Sequence, residues 1–189
     1  MKRNYRKSMI KESTLHFVLA LIAFLLSVIL LLLPRNILPY VEMFCPVLFF
    51  AILTGMLTSP VYGAFVGALA PLAAFALRGT PVFLPDVLAN MISCAAAGVM
   101  AGICYQLFMF PFGAAVAALL LSRIVLGVTK VILCLILKMS YKFTDYLDEA
   151  MVSVWPGILA CIVLIPLLLA ALKKRGAMKA LHRNLDFNR

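Results

Sequence analysis

Apolar residues fall along this chain in six long stretches, separated by short breaks rich in proline, glycine and charge. The first, Thr14–Leu33, stops at Pro34 and Arg35. The second runs from about Val41 to Thr58 and ends at Ser59 and Pro60. The third covers Val61–Leu77 and is followed by Arg78, Gly79, Pro81 and Pro85. The fourth begins at Asp86 and reaches Phe108, where Pro111 and Gly113 interrupt the pattern. The fifth, Phe112–Met139, is the longest, and the sixth covers Met151–Leu172. A helix rises about 1.5 Å per residue, so roughly 20 residues cross a bilayer core. The pattern therefore predicts an all-α fold, an integral membrane bundle of six transmembrane helices. Asp86 is placed to cap the fourth helix, its carboxylate accepting from first-turn amides.

Composition supports lipid as the solvent. The chain is 65% hydrophobic and 13% charged over 189 residues, with a mean hydropathy of +1.10. A soluble domain of this length could not bury that much apolar surface. The net charge of +10 is concentrated at the two ends. Lys2, Arg3, Arg6, Lys7 and Lys11 precede the first stretch, and Lys173, Lys174, Arg175, Lys179, Arg183 and Arg189 follow the last. Basic residues resist translocation and meet anionic lipid on the cytoplasmic side. Two basic ends on one side require an even number of crossings, so both termini are expected in the cytoplasm. This divides the chain into a basic tail at 1–13, a membrane domain at 14–172 and a second basic tail at 173–189. The first stretch is long enough to span and no small-residue cleavage site follows it, so it reads as a helix and not as a signal peptide. His16 and His182 fall in or near the cytoplasmic flanks and are expected to be solvated.

Glycines four apart occur at Gly63 and Gly67 and again at Gly98 and Gly102. Small residues at this spacing let helix backbones approach closely in lipid, so these faces are expected to pack inside the bundle. The cysteines Cys45, Cys94, Cys104, Cys134 and Cys161 lie in or beside apolar stretches with no ligand-like spacing. They read as small buried hydrophobes, and no metal or cofactor is implied.

Polar groups inside a membrane are costly and point to function. With the fifth helix starting near Gly113, Arg123 lies about 15 Å up, near the midplane, and Lys130 about 26 Å up. Arg123, Gly127, Lys130 and Cys134 share one face. On the fourth helix Asn90 and Ser93 share a face, and Glu42 and Cys45 stand at the start of the second. Trp155 opens the sixth. These groups gather in the outer half of the bundle, where a cavity would hold a small polar molecule. Glu42, Asn90 and Ser93 can hydrogen-bond it, Trp155 can stack on a ring, and Arg123 or Lys130 can pair a carboxylate. Each has a second reading. Arg123 can tie helices together through Glu42 or backbone carbonyls, Lys130 can snorkel to headgroups, and Trp155 can belong to an interfacial aromatic belt. There is no phosphate-binding glycine loop ending in Lys and Ser or Thr, and no metal or Ser-His-Asp spacing. An enzyme, and ATP hydrolysis by this chain, are therefore not expected.

The stretch from Cys45 and Pro46 through Ser59, Pro60 and Gly63 to Pro71 resembles the second and third helices of substrate-binding (S) components of energy-coupling factor (ECF) transporters, in the folate- and pantothenate-type superfamily. Arg78, Gly79, Thr80 and Pro81 resemble their following loop, Leu121–Gly127 a stretch of their fifth helix, and Trp155, Pro156 and Pro166 their sixth. The likeness covers most of residues 14–175. It departs at Cys45, Ser122 and Asn90, where the family pattern has a histidine, a glycine and an acidic residue.

The resemblance implies a subunit that captures a vitamin or related micronutrient from outside a bacterial plasma membrane. It works with a coupling membrane subunit and a pair of ATPases, and has no role with nucleic acid. It adds Arg78 and Thr80 to the substrate-binding set of Glu42, Cys45, Asn90, Ser93, Arg123, Lys130 and Trp155. It also implies a coupling-subunit interface on the first helix through small residues four apart, here Ala23 and Ser27. Two other classes compete: a membrane scaffold that recruits partners without a small-molecule ligand, and an autonomous secondary transporter. The sequence leaves the substrate's identity open.

Overall fold

A computed structural model of the chain describes residues 2–32, 45–78, 83–138, 144, 146 and 154–174. Six helices and no strand occur among the described residues. They are α1 (Lys2–Leu32), α2 (Pro46–Leu57), α3 (Pro60–Arg78), α4 (Leu88–Phe108), α5 (Pro111–Ile136) and α6 (Trp155–Lys174). A single π-helical turn, Phe83–Val87, leads into α4. Five of the helices are long and apolar enough to cross a membrane, and α2, with 12 residues, is the short one. Multi-pass insertion accommodates their exposed apolar sides.

Proline sets several starts. Pro46, Pro60 and Pro111 occupy first positions of α2, α3 and α5, where the missing N–H removes no helical bond and the fixed φ suits a helix. Cys45, just before α2, has φ 45° and ψ 58°, so α2 does not continue backwards as a helix through it. The expected start at Val41 lies outside the described residues. The expected basic tail at 1–13 is instead continuous with α1 from Lys2 onward. Its run of Lys, Arg, Met and Glu contains no glycine or proline to stop a helix.

The interior is organised around α4, which packs most extensively on α3, α5 and α2; α1 lies against α3 and α2, and α6 against α5. Glycines explain the closeness. A Cβ at Gly63 would lie 2.7 Å from the Gly55 Cα and 2.9 Å from the Gly98 carbonyl oxygen. At Gly102 it would lie 2.8 Å from both the Gly55 carbonyl oxygen and the Pro60 Cα. At Gly55 it would run into the Gly98 carbonyl, at Gly98 into the Gly63 carbonyl, and at Gly67 into the Cys94 carbonyl. Three backbones therefore touch along one seam, as the glycine spacing predicts for α3 and α4. Gly55 joins from α2 although it belongs to no such pair.

The outward sides are the opposite. Leu21, Leu25 and Ile29 on α1, Phe65 and Leu69 on α3, Ile124, Val128 and Ile132 on α5, and Val163 and Leu167 on α6 are all exposed. Such apolar faces suit lipid.

The seam has a measurable consequence. Gly98→Ala should cost more than about 3 kcal/mol, because backbone and not a flexible side chain blocks the new methyl. Val128→Ala, on an exposed face, should leave stability within about 0.5 kcal/mol. Thermal unfolding of the purified protein in detergent checks both, and equal midpoints for the two variants would refute the seam.

Candidate functional site

A cavity of about 170 Å³ opens where five helices converge. Leu31 of α1, Pro71 of α3 and the opening of α2 from Cys45 to Leu48 form much of its wall. Asn90, Ser93 and Cys94 enter from α4, and Ser122 and Arg123 from α5. Of the substrate-binding residues expected from sequence, the structure thus brings together Cys45, Asn90, Ser93 and Arg123. Their spacing follows from helix geometry, since Asn90, Ser93 and Cys94 are one turn of α4, and Ser122 and Arg123 are neighbours on α5.

Arg123 is the one charged side chain among the described residues lining the cavity. Its Nη2 lies 3.9 Å from the Cys45 Sγ, a weak acceptor. Its Nε is shut off from solvent and has no acceptor. Ser93 donates its hydroxyl to the Asn90 carbonyl at 3.1 Å. That leaves Ser93 lone pairs, and the Asn90 side-chain amide, as the neutral polar groups of the α4 wall. Pro71 has no N–H, so the Gly67 carbonyl four residues earlier lacks its usual helical donor.

The backbone under Arg123 is held from outside α5. Tyr146 donates its hydroxyl to the Arg123 carbonyl at 3.0 Å. Its ring lies so close to Gly127 that a Cβ there would come within 2.7 Å of it. Tyr146 also packs, with Leu133, against the buried Ala89 and Leu126. Sequence reasoning missed Tyr146, and its only signal was the glycine on the Arg123 face of α5.

Other expected residues stand elsewhere. Lys130 is buried but does not line the cavity; its Nζ donates to the Asp86 carboxylate at 2.9 Å. Asp86 was expected to cap α4, but α4 has no side-chain cap. A buried ammonium seven residues beyond Arg123 attracts the carboxylate more strongly than first-turn amides do. Trp155 is 59% exposed and not part of the cavity wall. Ser27 is 0% exposed, with its Oγ buried and unpaired, and Ala23 is half-buried. This face of α1 therefore looks into the bundle, and Ser27 offers no surface to a partner. His16, expected to be solvated, is half-buried, with its Nε2 closed off from solvent and without a partner. Glu42, Thr80 and His182 lie outside the described residues, as does the Arg78 side chain. No group of three or more His, Cys, Asp or Glu residues suited to a metal ion occurs among the described residues.

The Asp86–Lys130 pair joins the entry of α4 to α5, with the lysine side chain 3% exposed and the aspartate 36%. Asp86→Ala should destabilise the protein by about 3 kcal/mol, because it strips a buried ammonium of its carboxylate. Adding Lys130→Met to that variant should restore most of the loss. Midpoints of thermal unfolding for the single and double variants decide this, and a double variant no better than the single one would refute the coupling.

Set against known proteins, the chain matches no family model, no curated protein and no solved structure.

Proposed function

We propose that this chain is the substrate-capture subunit of an ATP-driven importer of the ECF type, in a bacterial plasma membrane. It crosses the membrane six times with both ends in the cytoplasm, α2 forming part of the second crossing. It takes a vitamin or related micronutrient from outside and delivers it inward with a coupling membrane subunit and two ATPases.

The observation that carries this reading is the cavity. Cys45, Asn90, Ser93, Ser122 and Arg123 come from separate places in the sequence to one hollow, in a molecule whose outside is apolar. Polar groups in a membrane bundle are expensive and collect where something is bound or moved. A concave, mostly apolar pocket with a few converging polar groups is the usual form of a small-molecule site. The resemblance of the Cys45–Pro71 and Leu121–Gly127 stretches to ECF substrate-binding components adds the transport role. The basic residues at both ends support the topology. The coupling contact is assigned to the exposed face of α1, which carries Leu21, Ile22, Leu25, Leu26 and Ile29, in place of Ala23 and Ser27.

A thermal-shift screen of the detergent-purified protein against vitamins and their precursors, with native mass spectrometry for carried-over ligand, tests the reading. A capture subunit should be stabilised by one compound or release one bound mass. Asn90→Ala should weaken that compound about tenfold while leaving the unliganded protein folded, in line with roughly 1.4 kcal/mol for one lost polar contact. A protein with no shift, no bound mass and no ATPase recovered by pull-down would be a scaffold and would overturn the proposal.

A further inference from the structure

We infer that the cavity is built for a small monocarboxylate, about the size of one ring plus its carboxylate group, held between Arg123 and the first turn of α2. This rests on the capture reading and narrows it to a chemical class.

Two independent features set the sign of the ligand's charge. The first is the guanidinium. Nε–H and Nη2 lie on the same edge of an arginine, the edge that grips a carboxylate with two parallel hydrogen bonds. On Arg123, Nε has no acceptor, and among the described residues Nη2 meets the Cys45 sulfur at 3.9 Å. A guanidinium edge whose Nε is closed off from water and unmatched by oxygen is costly, and a carboxylate that displaces the thiol supplies both acceptors.

The second feature is α2. Its first turn lines the same cavity, and first-turn amides have no partner within their own helix. The turn contains no acidic residue, and Cys45 makes no side-chain cap. The positive end of the helix dipole thus faces the hollow without a compensating carboxylate from its own turn. With 12 residues, α2 is about 18 Å long, too short for the hydrocarbon core. Its start lines the same hollow as Arg123, in the manner of broken helices that aim their N-termini at anionic substrates. Among the described residues, Lys130 and Asp86 face each other at 2.9 Å and largely cancel.

Size follows from volume. A cavity of about 150 Å³ accommodates benzene, and this one measures about 170 Å³. It holds one ring or a short chain with a carboxylate. Leu31, Val47 and Pro71 supply the apolar walls, and Asn90 and Ser93 are left to recognise one further polar group.

The test compares matched probes on the full chain in detergent: benzoate, nicotinate and hexanoate, each beside its primary amide, with benzylamine as a cation of the same size. Affinities are read by thermal shift and titration calorimetry, and carried-over ligand by native mass spectrometry. At least one carboxylate should bind about tenfold or more tightly than its amide, with benzylamine weakest. Arg123→Gln should abolish that preference and bring carboxylate and amide within about twofold. The wild-type comparison stands by itself should that variant fail to fold. An amide or benzylamine that binds as well as the carboxylate, or a carried-over mass belonging to a neutral or cationic compound, overturns the carboxylate class and leaves capture intact. Failure of every probe to bind overturns the monocarboxylate inference, and a carried-over mass of another kind would then still uphold capture.

Discussion

Backbone contact between α2, α3 and α4 along the glycines at 55, 63, 98 and 102 is the constraint on which the remaining structure depends. In water, helices associate because burial removes apolar surface from solvent. In lipid that drive disappears, and close van der Waals packing takes over. Here each of these glycines leaves room for a carbonyl or Cα of a neighbour at distances that no Cβ tolerates. The seam draws three helices into a tight inner layer, with α1, α5 and α6 arranged around it. Large side chains are left to face outward, where leucines, isoleucines and valines meet lipid.

Tight packing at one end leaves a gap at the other. Away from the α2–α3 turn at Thr58 and Ser59, α2 stops at Pro46 after 12 residues, while its neighbours α4 and α5 have 21 and 26. The first turn of the short helix lines the cavity. Its position explains the convergence of a helix start, an arginine from α5 and the amide and hydroxyl of α4. A hollow made by a terminated helix brings unpaired amides with it, so its electrostatics follow from its shape.

Beyond the cavity, polar groups are used to hold α5 in place. Lys130 draws Asp86 from the approach to α4, and Tyr146 covers Gly127 and bonds the Arg123 carbonyl. Together they fix the part of α5 that carries Arg123. Such support keeps Arg123 on the cavity wall, where a long side chain on an unsecured helix would be free to swing away.

Helix number, the approximate limits of α3 to α6 and the lipid-facing character of the surface were legible along the chain, because length and apolar content act locally. The glycine pairs of α3 and α4 were legible as faces packed inside the bundle, since small residues four apart let backbones approach in lipid, but not which helices meet there. Among the described residues, Asn90, Ser93 and Arg123 were legible as inward-facing because helical periodicity places them so, whereas Lys130 and Trp155, expected beside them, stand outside the cavity. Tertiary structure decided the rest. Gly55 belongs to the seam only because α2 crosses α3 and α4 at that residue, and the break at Cys45 is visible only as a left-handed backbone conformation. Asp86 became the partner of Lys130 across 44 positions, and Ser27 turned inward, by rotations of whole helices that no local pattern encodes. What the sequence by itself determined is an all-helical chain made for lipid. Which polar residues face one another was settled by helix crossings, because an interhelical contact depends on the rotation and depth of two segments at once.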